Sequence, residues 1–429
     1  MERIYVGSGL DRISDLPSNV IDHILACLPF KDAVRTSTLS KKWKEKWHMV
    51  PQIVVDKNFF HERSQRKLEG IINYILARHE GTIEKFSLSV EEVNNYYNLK
   101  LWIWWLSQKS IQELTLLIWD GRRNEMPSGL FSCQQLRKLN LRYFEVTPAH
   151  SFKGFRNLVS LQLDKVKIAT ALLERLIASC PLLERLRVRN LSYIDHLHIN
   201  VPTLKYFSVD GEFKSICFNT PVLEVLSINL YEIGSGNNQF DLRFKLRGLP
   251  PAIKELYVRC QFQKFLAAGD AIFTEVSTSY SHLRTLGLGS FCFANMDQVS
   301  CLLSLIGSSH NLEILDITAC NCKNEQVPEP VLEFWEEQHD FSLSLNHLRK
   351  ATVRSFHGKD HEMRFVKSVL SNSPLLKEMT VECTRNPNFD EDEIRAELLF
   401  LCPASTEFTF IGGKYDSSSD LDESSPDSD

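Results

Sequence analysis

The sequence predicts an α/β solenoid preceded by a small three-helix module. Three observations predict it. One short apolar pattern recurs along most of the chain, helical stretches fall between its copies, and the first fifty residues carry more apolar surface than three short helices can bury. Each element follows in chain order.

Residues 1–10 read as an N-terminal tail without an apolar signal core. In residues 11–50, Leu16, Val20, Ile21, Ile24, Leu25 and Leu28 fall at helical spacing and predict one apolar stripe. Asp15 and Pro17 stand where a first turn takes an acidic cap and a pre-set φ. Pro29 ends that helix, Asp32 to Thr38 fit a second, and Thr38 or Ser40 is placed to cap a third that carries Trp43 and Trp47 one turn apart. A unit of fewer than about 40 residues is below the size of a self-sufficient core, so other surface must cover it.

Leu16-Pro17, Ile24-Leu25, Leu28-Pro29, Asp32, Arg35, Leu39-Ser40 and Lys42-Trp43 together resemble the plant F-box, including its Leu-Ser-x-x-Trp ending. The resemblance implies a docking motif for the Skp-family adaptor of a cullin ubiquitin ligase. It places Leu16, Pro17, Ile21, Ile24, Leu25, Leu28, Leu39 and Trp43 against that adaptor. The competing reading is a helical cap that only seals the repeats behind it.

After a helical linker (51–82), the pattern apolar, two residues, apolar, one residue, apolar begins. Copies start at Ile83, Ile111, Leu136, Leu158, Leu183, Leu204, Leu223, Ile253, Leu283, Leu312, Leu348 and Leu376. Their mean spacing is about 27 residues, inside the range of leucine-rich repeats. The last two apolar positions of each copy alternate as in a strand. Between copies, 169–180, 295–310 and 361–373 read as helices. Prolines at 181, 202, 221, 251 and 374 separate helix from strand. Intervals from 19 to 36 residues predict an irregular horseshoe over 83–345, with strands lining its concave side. Phe144 and Val166 replace the usual asparagine or cysteine ladder in two copies, and Cys320 keeps it in one.

Residues 348–383 resemble a second plant module, the FBD domain, at Gly358, Glu362, Val366, Leu370, Asn372-Ser373-Pro374, Leu376 and Met379. The segment 346–385 therefore reads as a terminal repeat, and 386–411 as a cap made of one helix and one strand. Residues 412–429 read as a disordered acidic tail, with Ser417, Ser419 and Ser424 in acidophilic kinase context.

Several function classes lack support. A net charge of −5 with scattered basic residues gives no nucleic-acid footprint, and the longest apolar cluster, Leu101 to Leu106, is too short for a membrane span. Eleven cysteines without a secretory signal read as reduced thiols in the nucleus or cytoplasm. Gly287-Leu288-Gly289-Ser290 is no phosphate loop, because no Gly-Lys-Ser/Thr follows. His196 and His198 share a strand face without a third ligand, and Cys320-Asn321-Cys322 has the wrong spacing for zinc. Trp102, Trp104 and Trp105 cannot all share one helical face, so at least one ring should be exposed. No catalytic constellation, metal set or cofactor site is expected.

These readings combine into a substrate receptor of a Skp–cullin–F-box ligase, with a non-degradative repeat scaffold as the alternative. The strand residues between the apolar positions should project from the concave face. Among them Arg187, Arg189, Lys205, Tyr257 and Arg259 are the candidate substrate contacts, and their basic balance suits an acidic or phosphorylated protein guest.

Overall fold

The computed structural model describes residues 13, 15–56, 59, 65–91, 96–119, 123–147, 152, 154–191, 196–211, 215–230, 245–247, 250–260, 280–320, 345–384 and 391–414. Its contacts divide the chain into two units, Met1–Ile194 and Asp195–Asp429. The 1–10 tail, Cys322 and the three tail serines lie outside the described residues.

The first unit holds six parallel strands that follow chain order: Gln52–Val55, Lys85–Val90, Glu113–Ile118, Lys138–Arg142, Ser160–Asp164 and Arg185–Arg189. Their register sets like against like. Phe86, Leu114, Leu139, Leu161 and Leu186 are partners across the strands, and so are Leu88, Leu116, Leu141, Leu163 and Val188. No member of either row is more than 3% exposed. A strand with one such face cannot bury it alone, so each repeat is stabilised by its neighbours. The second unit repeats the scheme with eight parallel strands: Tyr206–Gly211, Val225–Leu230, Glu255–Cys260, Thr285–Phe291, Ile314–Ala319, Lys350–Phe356, Glu378–Thr384 and Glu407–Lys414. A separate parallel ribbon of His196–Asn200, Ser215–Asn219 and Lys245–Arg247 belongs to this unit and lies outside the recurring pattern.

All twelve sequence copies are strands, and two local devices recur with them. A turn precedes the strand: the N–H of Leu183, Leu204, Leu223, Ile253 or Leu376 donates to the carbonyl three residues back. The proline of each copy occupies the second position of that turn, where its fixed φ is already correct. At the far end of five strands, Tyr143, Lys165, Asn190, Ser290 and Ser355 are left-handed, with φ between 50° and 65°. Strict alternation would point these residues inward. The left-handed step lets the next residue take that place, so Phe144, Val166, Leu191, Phe291 and Phe356 are all buried. This is the physical reason that Phe144 and Val166 stand where other repeats carry a ladder residue. Left-handed backbone costs about 1–2 kcal/mol at a non-glycine residue, which burial of a Phe or Leu offsets.

The helices expected between copies are Thr170–Ala178, Met296–Ser308 and Asp360–Ser371, followed by Glu391–Leu401 in the cap. The Asn295 side chain caps the second of these by accepting from Gln298 N at 3.0 Å.

Four expectations need correction. The third N-terminal helix does not form. After α1 (Ser18–Ala26) and α2 (Phe30–Arg35), the chain runs through turns and a 3₁₀ segment, Lys46–Met49. Trp43, Lys46, His48 and Val50 each bond to the carbonyl three residues back, not four. Asp15 caps nothing: the residue preceding α1 is Pro17, and no side chain caps that helix. The 51–82 segment is not wholly helical, since Gln52–Val55 pairs with Lys85–Val90 as the sheet's first strand before α3 (Gln65–Arg78) begins. The last strand runs to Lys414, past the expected start of the tail at 412. In addition Cys320 is disulfide-bonded, against the all-thiol reading, while eight other described cysteines are free.

Candidate docking surfaces

The N-terminal module is built on the first strand of its unit. Phe30 and Ala33 are the buried side of α2, which packs against Gln52–Val55. Phe30 meets Trp47 edge-on, with ring centroids 6.2 Å apart. His48 O accepts from Glu80 N, and the His79 ring bonds Val50 O at 2.8 Å, which ties the module to the repeat behind it. Trp43 Nε1 donates to Ile13 O at 3.2 Å, and Lys46 reaches Asp22 at 2.9 Å.

The single apolar stripe read from the sequence divides into two faces. Ile21, Leu25 and Trp43 are 0%, 1% and 3% exposed, so they form the module's interior and are covered by this chain itself. Leu39 is 53% exposed, Pro17 and Val20 are exposed, and Leu16, Ile24 and Leu28 are half-buried. This second set is the surface left without cover within its own unit.

The other candidate surface is the polar face of each sheet. In the first unit the strands alternate strictly between buried residues and half-buried or exposed ones. Across the middle of that face the register aligns Ser87, Thr115, Asn140, Gln162 and Arg187. Nearer the strand ends it aligns Ser89, Leu117, Arg142, Asp164 and Arg189. Arg142 pairs with Asp164 at 3.4 Å and lies over the Trp119 ring, 4.0 Å from its centroid. Lys165 Nζ lies 5.1 Å from the Tyr143 ring centroid and bonds its hydroxyl at 3.3 Å. Burial raises the Asp164 carboxyl above its ordinary range, while Arg142, Arg189 and Lys165 pull it back down.

In the second unit Lys205 and Arg259 are exposed, and Tyr257 is half-buried. Tyr257 donates to Glu255 Oε2 at 3.1 Å, and burial together with Glu255 raises its phenol pKa. Gly287 and Gly289 are the register partners of Tyr257 and Arg259. A Cβ on Gly287 would come within 2.5 Å of Tyr257 Cδ1, and one on Gly289 within 3.0 Å of Arg259 Cγ. The two glycines therefore make room for neighbours that lean across them. Further along, Arg354 bonds Asp316 and lies 3.8 Å from Glu382. Arg187 and Arg189 thus belong to one unit, and Lys205, Tyr257 and Arg259 to the other.

Trp102 is buried and donates to Asn73 Oδ1 at 2.6 Å, whereas Trp104 is 56% exposed and Trp105 is half-buried on α4 (Tyr96–Gln108). His196 and His198 are both exposed. Among the described residues no group of three His, Cys, Asp or Glu is placed to hold a metal ion, and no helix is long and apolar enough to cross a membrane. Burial pushes the Cys133 and Cys383 thiols up to about 12, which suits packing and not nucleophilic attack. In the FBD-like segment, Gly358 has φ 67° and the buried Glu362 accepts from His357 N at 2.8 Å. Val366, Leu370, Leu376 and Met379 are core, so most of the positions that carry that resemblance hold a turn, a helix and a strand together.

Comparison with known families agrees along the chain. Residues 13–53 match the F-box domain, residues 99–250 match the family described as FBD-associated F-box protein At5g56370, LRR repeats, and residues 344–381 match FBD. The sequence is 33% identical over 406 residues to F-box/FBD/LRR-repeat protein At1g13570 of Arabidopsis thaliana, spanning 92% of this chain and 96% of that protein. It is 25% identical to F-box/FBD/LRR-repeat protein At4g00160, over 99% of this chain and 98% of the relative. Putative FBD-associated F-box protein At3g50710 is also 25% identical, over 92% and 98%. Both are from the same plant.

Proposed function

The chain belongs to the plant F-box/FBD/leucine-rich-repeat family, and on that premise we propose that it is the substrate-recognition subunit of a Skp–cullin–F-box ubiquitin ligase. Its N-terminal module docks a Skp-family adaptor, and through it a cullin, while the repeat surface holds a protein substrate. It works in the nucleus, the cytoplasm or both. The chain supplies no catalytic residue. It raises the local concentration of substrate lysines beside a ubiquitin-charged enzyme carried elsewhere in the complex.

One observation carries this reading. The module matched to the F-box already buries Ile21, Leu25 and Trp43, yet leaves Leu39, Val20 and Pro17 exposed, with Leu16, Ile24 and Leu28 beside them. A module that only capped the repeats would turn its apolar surplus toward them. A central apolar anchor ringed by charge is the common form of a docking hot spot, and Lys42 and Asp22 flank this one.

Leu16→Ala combined with Pro17→Ala tests it. Adaptor binding measured by titration calorimetry should fall at least tenfold, with the melting temperature of the chain unchanged. Undiminished binding would overturn the assignment of this face.

A further inference from the structure

The strand ends of the first unit gather a charge imbalance that the fold does not require. The left-handed residues place two consecutive polar side chains at the end of each of three neighbouring strands: Arg142 with Tyr143, Asp164 with Lys165, and Arg189 with Asn190. Arg187 lies on the same face two residues before Arg189, and the Arg123 Nε donates to Lys165 O at 3.3 Å from the neighbouring loop. Among the described residues several cations therefore surround one carboxylate. Asp164 is paired with Arg142, and its Oδ1 is buried without a hydrogen-bond partner. The Arg189 side chain makes no hydrogen bond and no ion pair within 4.0 Å among the described residues, although its backbone carbonyl accepts from Lys165 N. Its Nε is buried without a partner, and among the described residues the guanidinium is drawn to Asp164 by longer-range attraction. Trp119, 49% exposed, forms a wall behind the Arg142 guanidinium.

We propose that this rim, with Trp119, Arg142, Tyr143, Lys165, Arg187 and Arg189 around Asp164, docks a phosphorylated segment of a partner protein. The proposal rests on reading the repeat surface as the substrate-binding part of the chain, and it names the chemistry recognised there. A lone carboxylate would bring one negative charge, which Asp164 already supplies. A phosphoserine or phosphothreonine brings about −1.5 to −2 and three acceptor oxygens, which matches the surplus positive charge. Guanidinium forks meet such oxygens in pairs, and Arg189 has its fork uncommitted. The aromatic wall suits the residues on either side of the phosphate. Nucleic acid fits less well. The four strands from Glu113–Ile118 to Arg185–Arg189 span only about 14 Å at the usual strand separation, too short to follow several nucleotides. The chain as a whole is also net negative.

The test uses the full chain and fluorescence-polarisation titration with two degenerate peptide pools, identical except that the central serine or threonine is phosphorylated in one. An unstructured single-stranded oligonucleotide serves as a third probe. The phosphorylated pool should bind at least tenfold more tightly than the other. Arg189→Gln should remove that preference, and Arg189→Lys should keep only part of it, since charge is retained and the fork is lost. Asp164→Asn should strengthen it. Equal binding of the two pools overturns the proposal. So does an undisturbed preference in a folded Arg189→Gln variant, or tighter binding of the oligonucleotide than of the phosphorylated pool. Adaptor binding, followed in the same preparations, separates the two readings. Its persistence without phosphopeptide preference removes only this inference, and its loss with the preference intact removes only the ligase reading.

Discussion

The two units use one backbone device to different ends. At the strand ends of the first unit the left-handed residues are Tyr143, Lys165 and Asn190, beside Arg142, Asp164 and Arg189. In the second they are Ser290 and Ser355, and the balance nearby is reversed, one cation, Arg354, standing between two carboxylates, Asp316 and Glu382. Both versions return an aromatic or aliphatic residue to the core. Among the described residues the first leaves an excess of positive charge there and the second does not. The shared device belongs to folding, and the unshared charge is where a role in recognition should be sought.

The comparison breaks most readily through the core, where the units should behave alike. Leu161 and Leu226 are both 0% exposed and lie in interior strands with a neighbour on each side within their own unit. Leu161→Ala and Leu226→Ala should each cost about 2–5 kcal/mol in denaturant unfolding. Hydrogen exchange should show the loosening concentrated in the strands that flank each substitution, because repeats couple mainly to their neighbours. Uniform loosening of every strand from either site would mean a single global core.

A smaller effect separates the faces. Gly287→Ala should cost about 1–3 kcal/mol, since its Cβ meets the Tyr257 ring and the half-buried ring has to turn away. Tyrosine fluorescence and thermal unfolding would register it, while phosphopeptide preference should stay as in the parent chain. A change in that preference would tie the second unit to the rim described in the first.

The smallest effect appears only as a slope. The Asp164 pKa is raised in the folded chain above its ordinary 3.8, so the folded state holds its proton over a range where the unfolded state has released it. Its contribution to stability is thus lost as pH rises from near 3.8 through the raised folded value, and is level above it. Unfolding midpoints of the parent chain should fall relative to those of Asp164→Asn across that window. Arg142, Arg189, Lys165 and Asn190 are the groups that act on this carboxyl. A parallel course for the two proteins would show that the rim does not strain its acid.

The repeat strands were legible because burial on one face forces a period of two, and the same period recurred at Leu139, Leu161 and Leu186 without interruption. Val50, Ile53 and Val55 carry that very pattern, yet the strand there was read as part of a helical linker, because it directly follows a helical module. The Trp43 and Trp47 spacing of four suits an α-helix and also consecutive 3₁₀ turns, so spacing alone could not choose between them. Alternation set the candidate contacts off the buried face, though only Lys205 and Arg259 are exposed and Arg187, Arg189 and Tyr257 are half-buried. Their partners did not follow from it: nothing in the sequence pairs Tyr257 with Glu255, or shows that Gly287 and Gly289 yield space to the strand before them. The basic rim was only half visible, since Arg187 and Arg189 stand out as a run whereas Arg142 and Lys165 join them solely through register and left-handed backbone.

The buried trio in the N-terminal module bears on how inherited variation in this chain should be interpreted. Ile21, Leu25 and Trp43 face inward, so an allele that truncates one of them collapses the module and abolishes every interaction that depends on its shape. A genetic screen for lost adaptor association would recover these alleles in abundance, and their map would trace the inside of the module while missing the contact surface. Alleles at Leu39 or Val20 would be rarer and weaker. Those are the ones whose phenotype reports on the partner.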